Sequence, residues 1–484
     1  MTTIKLDPGA ALLLDALHGA GHAAYAVGGC VRDSLLGLDP HDWDLCTSAR
    51  PEQVMALFGE EKCIPTGLQH GTVTVKQGGR LYETTTFRTE GAYSDGRHPD
   101  AVCFVPDVRE DLARRDFTIN AMAYSAEEGL IDPFGGRGDL TAHLVRAVGE
   151  PERRFEEDAL RILRLYRFAA RFGFAIDPAT GAAARALGPH LDCVSAERIQ
   201  EELLKLLAAP RPGSYLEPAV LAVVLPELEP EKQPERFAEL CRTIDRIEPT
   251  AENVPARLAA LLWPLGEAGA RKALRKLKCS NALTDEVTAL EREAGGGAGS
   301  FLLGHEFELR HPADALCLER HSHPAGRCPN SNSLFPPQAA VVTVAGHSIA
   351  RPIACGNRVP PQRTVLGETP GTPNTTLTVQ AKRLLGRYEL PTIQRLTALC
   401  SARHPEQAEA FAALRAEAER LTAENACCRV SQLAVNGRDL MAAGVRPGPG
   451  LRQVLNALLE AVITGQTPNE KDALLAAAAQ FSAS

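Results

Sequence analysis

The chain has 484 residues, 44% of them apolar, which exceeds one compact domain and supplies more than one core. Its 52 lysines and arginines against 60 aspartates and glutamates leave a net charge of −8, which excludes a uniformly basic nucleic-acid sleeve; a nucleic acid would have to be held by locally basic surfaces. Thirteen cysteines without regular spacing, no charged segment followed by an apolar run at the start, and no apolar stretch long enough for a bilayer argue against a disulfide scaffold or a membrane protein, and predict a soluble chain of the reducing cytoplasm.

Residues 23 to about 145 read as mixed α/β. Ala24–Val27 is a short apolar strand ending in Gly28-Gly29, with a helix predicted over Val31–Leu36. Such a turn aims free backbone N–H groups at an anion, and Arg32 adds a fixed charge there; tight packing alone explains a glycine doublet equally well. Trp43–Cys46 is the next strand candidate. On a strand, residues i and i+2 share a face, so Asp42 and Asp44 would present two carboxylates to a pair of divalent ions. Mg²⁺ suits hard oxygen ligands supplied by one or two carboxylates and substrate phosphates, and two ions would activate a 3′-hydroxyl and steady a leaving pyrophosphate. Two acids ahead of Pro51 also fit solvated loop charges; their spacing from the glycine turn argues for the metal site. Gly71–Lys76 and Leu81–Thr86 alternate about Gly78-Gly79, a hairpin signature, and Glu83 is the candidate third carboxylate.

In the run Arg114-Arg115-Asp116-Phe117-Thr118-Ile119-Asn120, Arg115 is the natural triphosphate clamp, because a guanidinium fork matches phosphate geometry. Asn120 would contact sugar or phosphate. Arg115-Asp116 also fits a local ion pair at a helix end, and Asp132-Pro133-Phe134-Gly135-Gly136 reads as an architectural turn. Asp158 and Arg161, three apart on a predicted helix, are neighbours on one face. A carboxylate and a guanidinium together match the edges of cytosine and adenine and reject uracil and guanine, so base choice would need no nucleic-acid template; a structural salt bridge is the alternative. Arg164, Arg167 and Arg171 share a sector with Arg161, and Ile162, Leu163, Leu165, Tyr166 and Phe172 fill much of the rest, predicting a helix buried between domains. Arg198, with Glu201 or Glu202, either braces that helix or forms an ordinary surface pair.

From about 150 onward the period becomes helical, over 158–172, 196–207, 256–277 with a break at Pro264, and 452–463. Residues 295–376, dense in Gly, Pro, Ser, Thr and Asn, read as a poorly ordered insertion. It separates two parts of one helical body that are expected to be adjacent in space, with the helical pattern resuming near Val379. Within it, Cys317, His321, His323 and Cys328 lack the spacing of a standard zinc finger, so no zinc site is expected.

The ordered set Gly28-Gly29-x-x-Arg32-Asp33, Asp42-x-Asp44, Arg114-Arg115-Asp116-Phe117-Thr118-x-Asn120, Asp132-Pro133-Phe134-Gly135-Gly136 and Glu157-Asp158-x-x-Arg161 resembles the class II tRNA nucleotidyltransferases, the CCA-adding enzymes. The resemblance is strong over about 22–215. It implies an α+β protein, a polymerase-β-like α/β head (1–145) followed by an all-helical neck (146–215), body (216–294) and, past the insertion, body and tail (377–484). It also implies addition of C, C and A from CTP and ATP to tRNA 3′ ends without a template, with two Mg²⁺ ions, and neither a membrane nor an obligate protein partner. Carried over position by position, it makes Asp42 and Asp44 the catalytic metal pair, Arg32 and Arg115 phosphate contacts, and Asp158 with Arg161 the base-selecting pair. The segment Glu90–Pro99 looks like the mobile loop needed for the final A, and Val435–Gly444 looks like the tail that holds the tRNA elbow. Bacterial poly(A) polymerases share the head motifs, and CC-only or A-only enzymes are finer alternatives; a non-catalytic RNA-binding protein on the same scaffold is the remote one.

Overall fold

The computed structural model describes residues 3–91, 102–296 and 375–481. All but the first two residues of the predicted mobile loop, most of the predicted insertion and its four cysteines and histidines lie outside the described residues.

The head is built on strands β1 (Ala24–Val27), β2 (Leu45–Thr47), β3 (Cys63–Gly67), β4 (Thr72–Gln77), β5 (Arg80–Thr86), β6 (Arg88–Glu90), β7 (Val102–Phe104), β8 (Ala123–Ser125) and β9 (Gly129–Ile131). Seven of them form one mixed sheet in the order β3-β4-β5-β2-β1-β8-β9, while β6 and β7 pair as a separate ribbon. The β2–β5 pair is parallel and the other neighbours are antiparallel. The β4–β5 hairpin forms as predicted, turning at Gly78 and Gly79 with φ of 57° and 80°, values that match the right-handed twist of a two-residue turn and favour glycine. Alternation along β1 and β2 sends side chains to opposite faces: Ala24, Ala26 and Leu45 pack on Leu13, Leu14 and Leu17 of the Pro8–Gly19 helix, and Tyr25, Val27 and Cys46 join Phe87 and Leu112. Both faces are covered, so the site opens at the ends of the strands.

Beyond the head the described residues are helical apart from the pairing of Leu144–Val145 in parallel with Ala175–Ile176. The Ala196–Leu207 helix forms over its predicted residues, and Pro264 places a 3₁₀ turn between helices Val254–Leu262 and Gly266–Lys276, as expected where proline removes a backbone donor. The Asn281–Gly296 helix runs through Gly295, two residues into the predicted insertion, and helix returns at Thr375; Ala294, buried at 4% exposure, anchors that last turn. The two halves of the body meet: Arg387 and Tyr388 reach the Glu293 carboxylate at 2.7 and 2.9 Å across the sequence gap. One apolar core runs through head, neck and body, whereas Leu433, Leu440, Val454, Leu458 and Leu474 form a core of their own in the tail. Among the described residues no helix is long and apolar enough to cross a membrane.

Candidate active site

β1 ends at Val27, and Gly28, with φ 78°, turns the chain into the Gly29–Leu35 helix. Glycine is needed at this position twice over: a side chain is strained at that φ, and a Cβ would lie 2.9 Å from Nη1 of Arg115. At Gly29 the same atom would make only ordinary contact, 3.6 Å from Arg32.

Asp42 and Asp44 are not on a strand, contrary to expectation; β2 begins at Leu45. The reason is the shortness of β1, whose last residue, Val27, stands opposite Asp44 and donates to its carbonyl at 2.9 Å before the chain turns away at Gly28. The alternation survives all the same, with Trp43 buried between two exposed aspartates. Leu45 stands opposite Thr84 in the parallel β2–β5 pair, and one step back in that register Glu83 comes beside Asp44. Asp44 is open to solvent, yet the protein walls around it strip hydration and raise its carboxyl above the usual range; the charges of Glu83 and Asp42 add to the rise and Arg115 opposes it. Converging negative charge on hard oxygens fits a divalent cation. Among the described residues no group of three or more acidic, histidine or cysteine side chains is placed to hold an ion by itself.

Arg115 enters from the other side. Asp111, fully buried, accepts from Arg114 Nε at 3.0 Å and Arg115 Nη2 at 3.3 Å, so an acid four residues upstream aims the guanidinium; the Arg115 Nε is buried without a hydrogen-bond partner. Sequence reasoning missed Asp111, although its i, i+3 and i, i+4 spacing to the two arginines is the signal that finds it.

Arg32 lies under the turn rather than in the open cleft. It is 4% exposed, donates from Nε to Asp33 at 2.7 Å and from Nη1 to Asn120 at 2.5 Å, and sits over the rings of Phe168 and Phe172 at 5.2 and 4.9 Å. Asn120 passes the chain on to Asp116 at 3.0 Å, and Asp116 accepts from Arg164 Nη2 at 2.6 Å. Burial by itself would raise the Asp116 carboxyl; Arg164 and the Asn120 amide outweigh it and hold it far below the usual range. Asp116 therefore does not pair with Arg115, as one sequence alternative had it, but bridges head to neck. Glu202 continues the line, holding Arg167 at 2.5 Å, and Arg171 returns to Asp33 at 3.3 Å. The arginine-rich helix is buried as predicted, Arg164 and Arg171 matched to head carboxylates, Arg161 and Arg167 to carboxylates of the neck.

The base-reading pair needs a correction. The helix starts at Leu160, and Asp158 lies in the break after the Pro151–Glu157 helix with extended backbone, φ −147° and ψ 102°. Asp158 and Arg161 are thus not stacked on one helical face, and their side chains go to different partners. Arg198 grips Asp158 with two donors at 3.2 and 2.8 Å. Arg161 donates to Glu157 at 2.7 Å and to the carbonyls of Arg154 and Arg114 at 3.1 and 3.0 Å. Arg198 braces Asp158 directly, and its expected neighbour Glu201 instead pairs with Lys205 at 2.6 Å. The Asp132 turn is architectural as read: its carboxylate caps the N–H groups of Gly136 and Arg137 at 2.7 and 2.9 Å.

A mixed sheet carrying a glycine turn with an arginine against it and paired acids ahead of the next strand is the head of a nucleotidyltransferase. Residues 24–146 match the poly A polymerase head domain family, 173–231 the family "Probable RNA and SrmB- binding site of polymerase A", and 387–478 tRNA nucleotidyltransferase domain 2. The CCA-adding enzyme of Lactiplantibacillus plantarum is 33% identical over 96% of this chain and 93% of its own length, and that of Lactobacillus helveticus is 43% identical over 57% of this chain and 68% of its own. The crystal structure of the Bacillus stearothermophilus CCA-adding enzyme in complex with CTP superposes with a TM-score of 0.68 at 29% identity, covering 98% of both chains. The chain belongs to the CCA-adding enzyme family.

Proposed function

We propose that this protein adds C, C and A to the 3′ end of tRNA from CTP and ATP, without a nucleic-acid template and with release of pyrophosphate, in the cytoplasm. The observation that carries the reading is the placement of Asp44 between the charges of Asp42 and Glu83 on one side and Arg115 on the other. Asp42 and Asp44 would hold two Mg²⁺ ions, which would supply charge neutralisation and activation of the terminal hydroxyl. Arg115, positioned by Asp111 and admitted by Gly28, takes the triphosphate. Arg32 and Asn120 support the phosphate side from beneath the turn and tie it to the neck. Asp158 and Arg161 offer an acceptor and donors to the base, Arg198 fixing the orientation of the acceptor. Cytosine and adenine both present an amino group to such a carboxylate, whereas uracil and guanine present a carbonyl in its place.

The test offers a tRNA ending at its discriminator base all four nucleoside triphosphates and sequences the product. Addition of CCA supports the reading; CC alone, A alone or a run of A replaces it with the corresponding relative, and no incorporation while tRNA still binds makes the chain a non-catalytic RNA binder. Chelation of divalent ions is expected to stop incorporation and Mg²⁺ to restore it.

A further inference from the structure

The base-selecting Arg161 and the triphosphate arginine Arg115 come from different domains, yet a single buried side chain reaches the supports of both. Arg154, 7% exposed on the Pro151–Glu157 helix of the neck, donates from Nη2 to Glu157 Oε1 at 2.5 Å and from Nη1 to the carbonyl of Ala113 at 2.9 Å. Glu157 holds Arg161 with its other oxygen at 2.7 Å. Ala113 ends the Val108–Ala113 helix of the head, two residues before Arg115, and the intervening Arg114 carbonyl accepts from Arg161 at 3.0 Å. The last carbonyls of a helix have no partner within it, and here two guanidiniums from the neck take that place.

Packing alone does not fix these groups. A cavity of about 440 Å³ opens beside them, with Phe134, Glu150, Arg153, Arg154 and Glu157 in its walls, so the Glu157 carboxylate has room to turn. Exposed Arg153 also stands 3.4 Å from Glu157 Oε1 and competes for it from the solvent side. Without the Arg154 guanidinium, the carboxylate has a cation on its outer flank and space to follow it, away from Arg161. Arg161 has few donors to spare. Its Nη1 is shared between Glu157 and the Arg154 carbonyl at 3.1 Å and its Nη2 is committed to Arg114, which leaves, among the described residues, the Nε–H and one Nη2 hydrogen for a base edge.

We propose that Arg154 is a positioning residue for nucleotide choice, holding the base-reading guanidinium of Arg161 and the peptide that carries Arg115 at one fixed separation. This rests on the tRNA-extending function proposed above and deepens it, by assigning the register between base and triphosphate to a residue that reaches the reading groups only through Glu157 and Ala113. With that register held, a nucleotide seated on Arg115 meets Arg161 in one geometry only, and a base with the wrong edge leaves donors unpaired. With it lost, slack in Arg161 accommodates the wrong edge, and the hold on pyrophosphate weakens as Arg115 loses its footing. Two donors in a rigid planar fork suit this task, whereas an ammonium on a flexible stem does not.

The test is Arg154→Met in the full-length protein, assayed at a temperature where its circular dichroism matches that of the parent. Two readouts separate the arms: misincorporation of U and G, read by sequencing the extended tRNA, reports on Arg161, and the inhibition constant for inorganic pyrophosphate reports on Arg115. Both are expected to rise about tenfold or more, the size of one lost charge-assisted hydrogen bond, with the KM for tRNA within about twofold of the parent. Glu157→Gln cuts only the first arm, so misincorporation is expected to rise by about the same factor while the pyrophosphate constant stays within about twofold. Should Arg154→Met not fold, Arg154→Lys, which keeps the charge and gives up the fork, is expected to raise both readouts about threefold or more. Unchanged readouts in the folded variant, or a rise in one of the two alone, overturn the proposal and leave Arg154 a brace between head and neck. A parent that does not extend tRNA fails the functional reading first, and the proposal falls with it; a parent that adds CCA beside an insensitive variant fails the proposal only.

Discussion

Replacing Glu291 with glutamine should remove a pH-dependent weakness from the body. Glu291 lies on the Asn281–Gly296 helix at 1% exposure, and neither carboxylate oxygen has a hydrogen-bond partner among the described residues. Burial pushes its carboxyl up to about 8 from the ordinary 4.5, the Glu267 charge adds to the rise, and Arg403, stacked 3.4 Å above the Trp263 ring, opposes it. A carboxyl raised in the folded state gives stability that is complete below its unfolded value and is lost as pH climbs to the folded one. The folded protein keeps the proton between about 4.5 and 8, where the unfolded chain releases it. At 1.36 kcal/mol for each pH unit, the loss is about 4 kcal/mol by pH 7.5 and levels off near 5 kcal/mol, an order-of-magnitude figure. Glutamine fills the same space and does not ionise. Melting temperatures measured from pH 5 to pH 9 are expected to fall by about 4 °C more in the parent than in Glu291→Gln, the two converging at pH 5. Parallel curves would refute the reasoning, since they would mean that the carboxylate finds a partner or water when it ionises.

Further substitutions test the head and neck. Asp44→Ala is expected to lower kcat for CMP incorporation by about 100-fold or more while leaving the melting temperature and tRNA affinity in place, because only the charge that holds metal is lost; retained turnover in single-turnover assays would remove Asp44 from the chemistry. Gly28→Ala forces a side chain into a positive-φ turn 2.9 Å from Arg115, so it should cost about 1–3 kcal/mol in stability and raise the KM for CTP; an unperturbed enzyme would show that Arg115 yields freely. Arg198→Met unclasps Asp158, and misincorporation of U and G, read by sequencing products, is expected to rise about 10- to 100-fold with kcat for C less affected. Arg257 is wholly buried and donates to the carbonyls of Ile247, Leu207 and Ala209; Arg257→Met leaves these unpaired where neck meets body and should destabilise the protein by about 3–5 kcal/mol in thermal or urea unfolding.

Local signals carried much of this architecture. The β4–β5 hairpin follows from two alternating runs around adjacent glycines, the Ala196–Leu207 helix from leucine spacing, and the Gly28 turn from a glycine doublet at a strand end. Two errors came from reading elements as longer than their partners allow: β2 begins only at Leu45 because β1 ends at Val27, and the arginine-rich helix starts at Leu160, leaving Asp158 extended. The remaining gaps are tertiary. Asp158 meets Arg198 forty residues away, Arg32 meets Asn120 eighty-eight away, and such pairings have no periodicity to betray them. Asp111 was within reach, three and four residues ahead of the arginines it orients. The buried Glu291 was not, since its neighbours come from helices distant in the chain.

Arg198 and Glu202 sit one helical turn apart on a single rod, the first clasping Asp158 and the second Arg167. With Asp158 as the proposed base reader, base choice and the seating of the arginine-rich helix are mechanically yoked: any tilt of that rod toward one task displaces the other. Evolution or engineering that retunes which letter is accepted must do so without turning this helix, or else accept a shift of the arginine-rich helix packed against it.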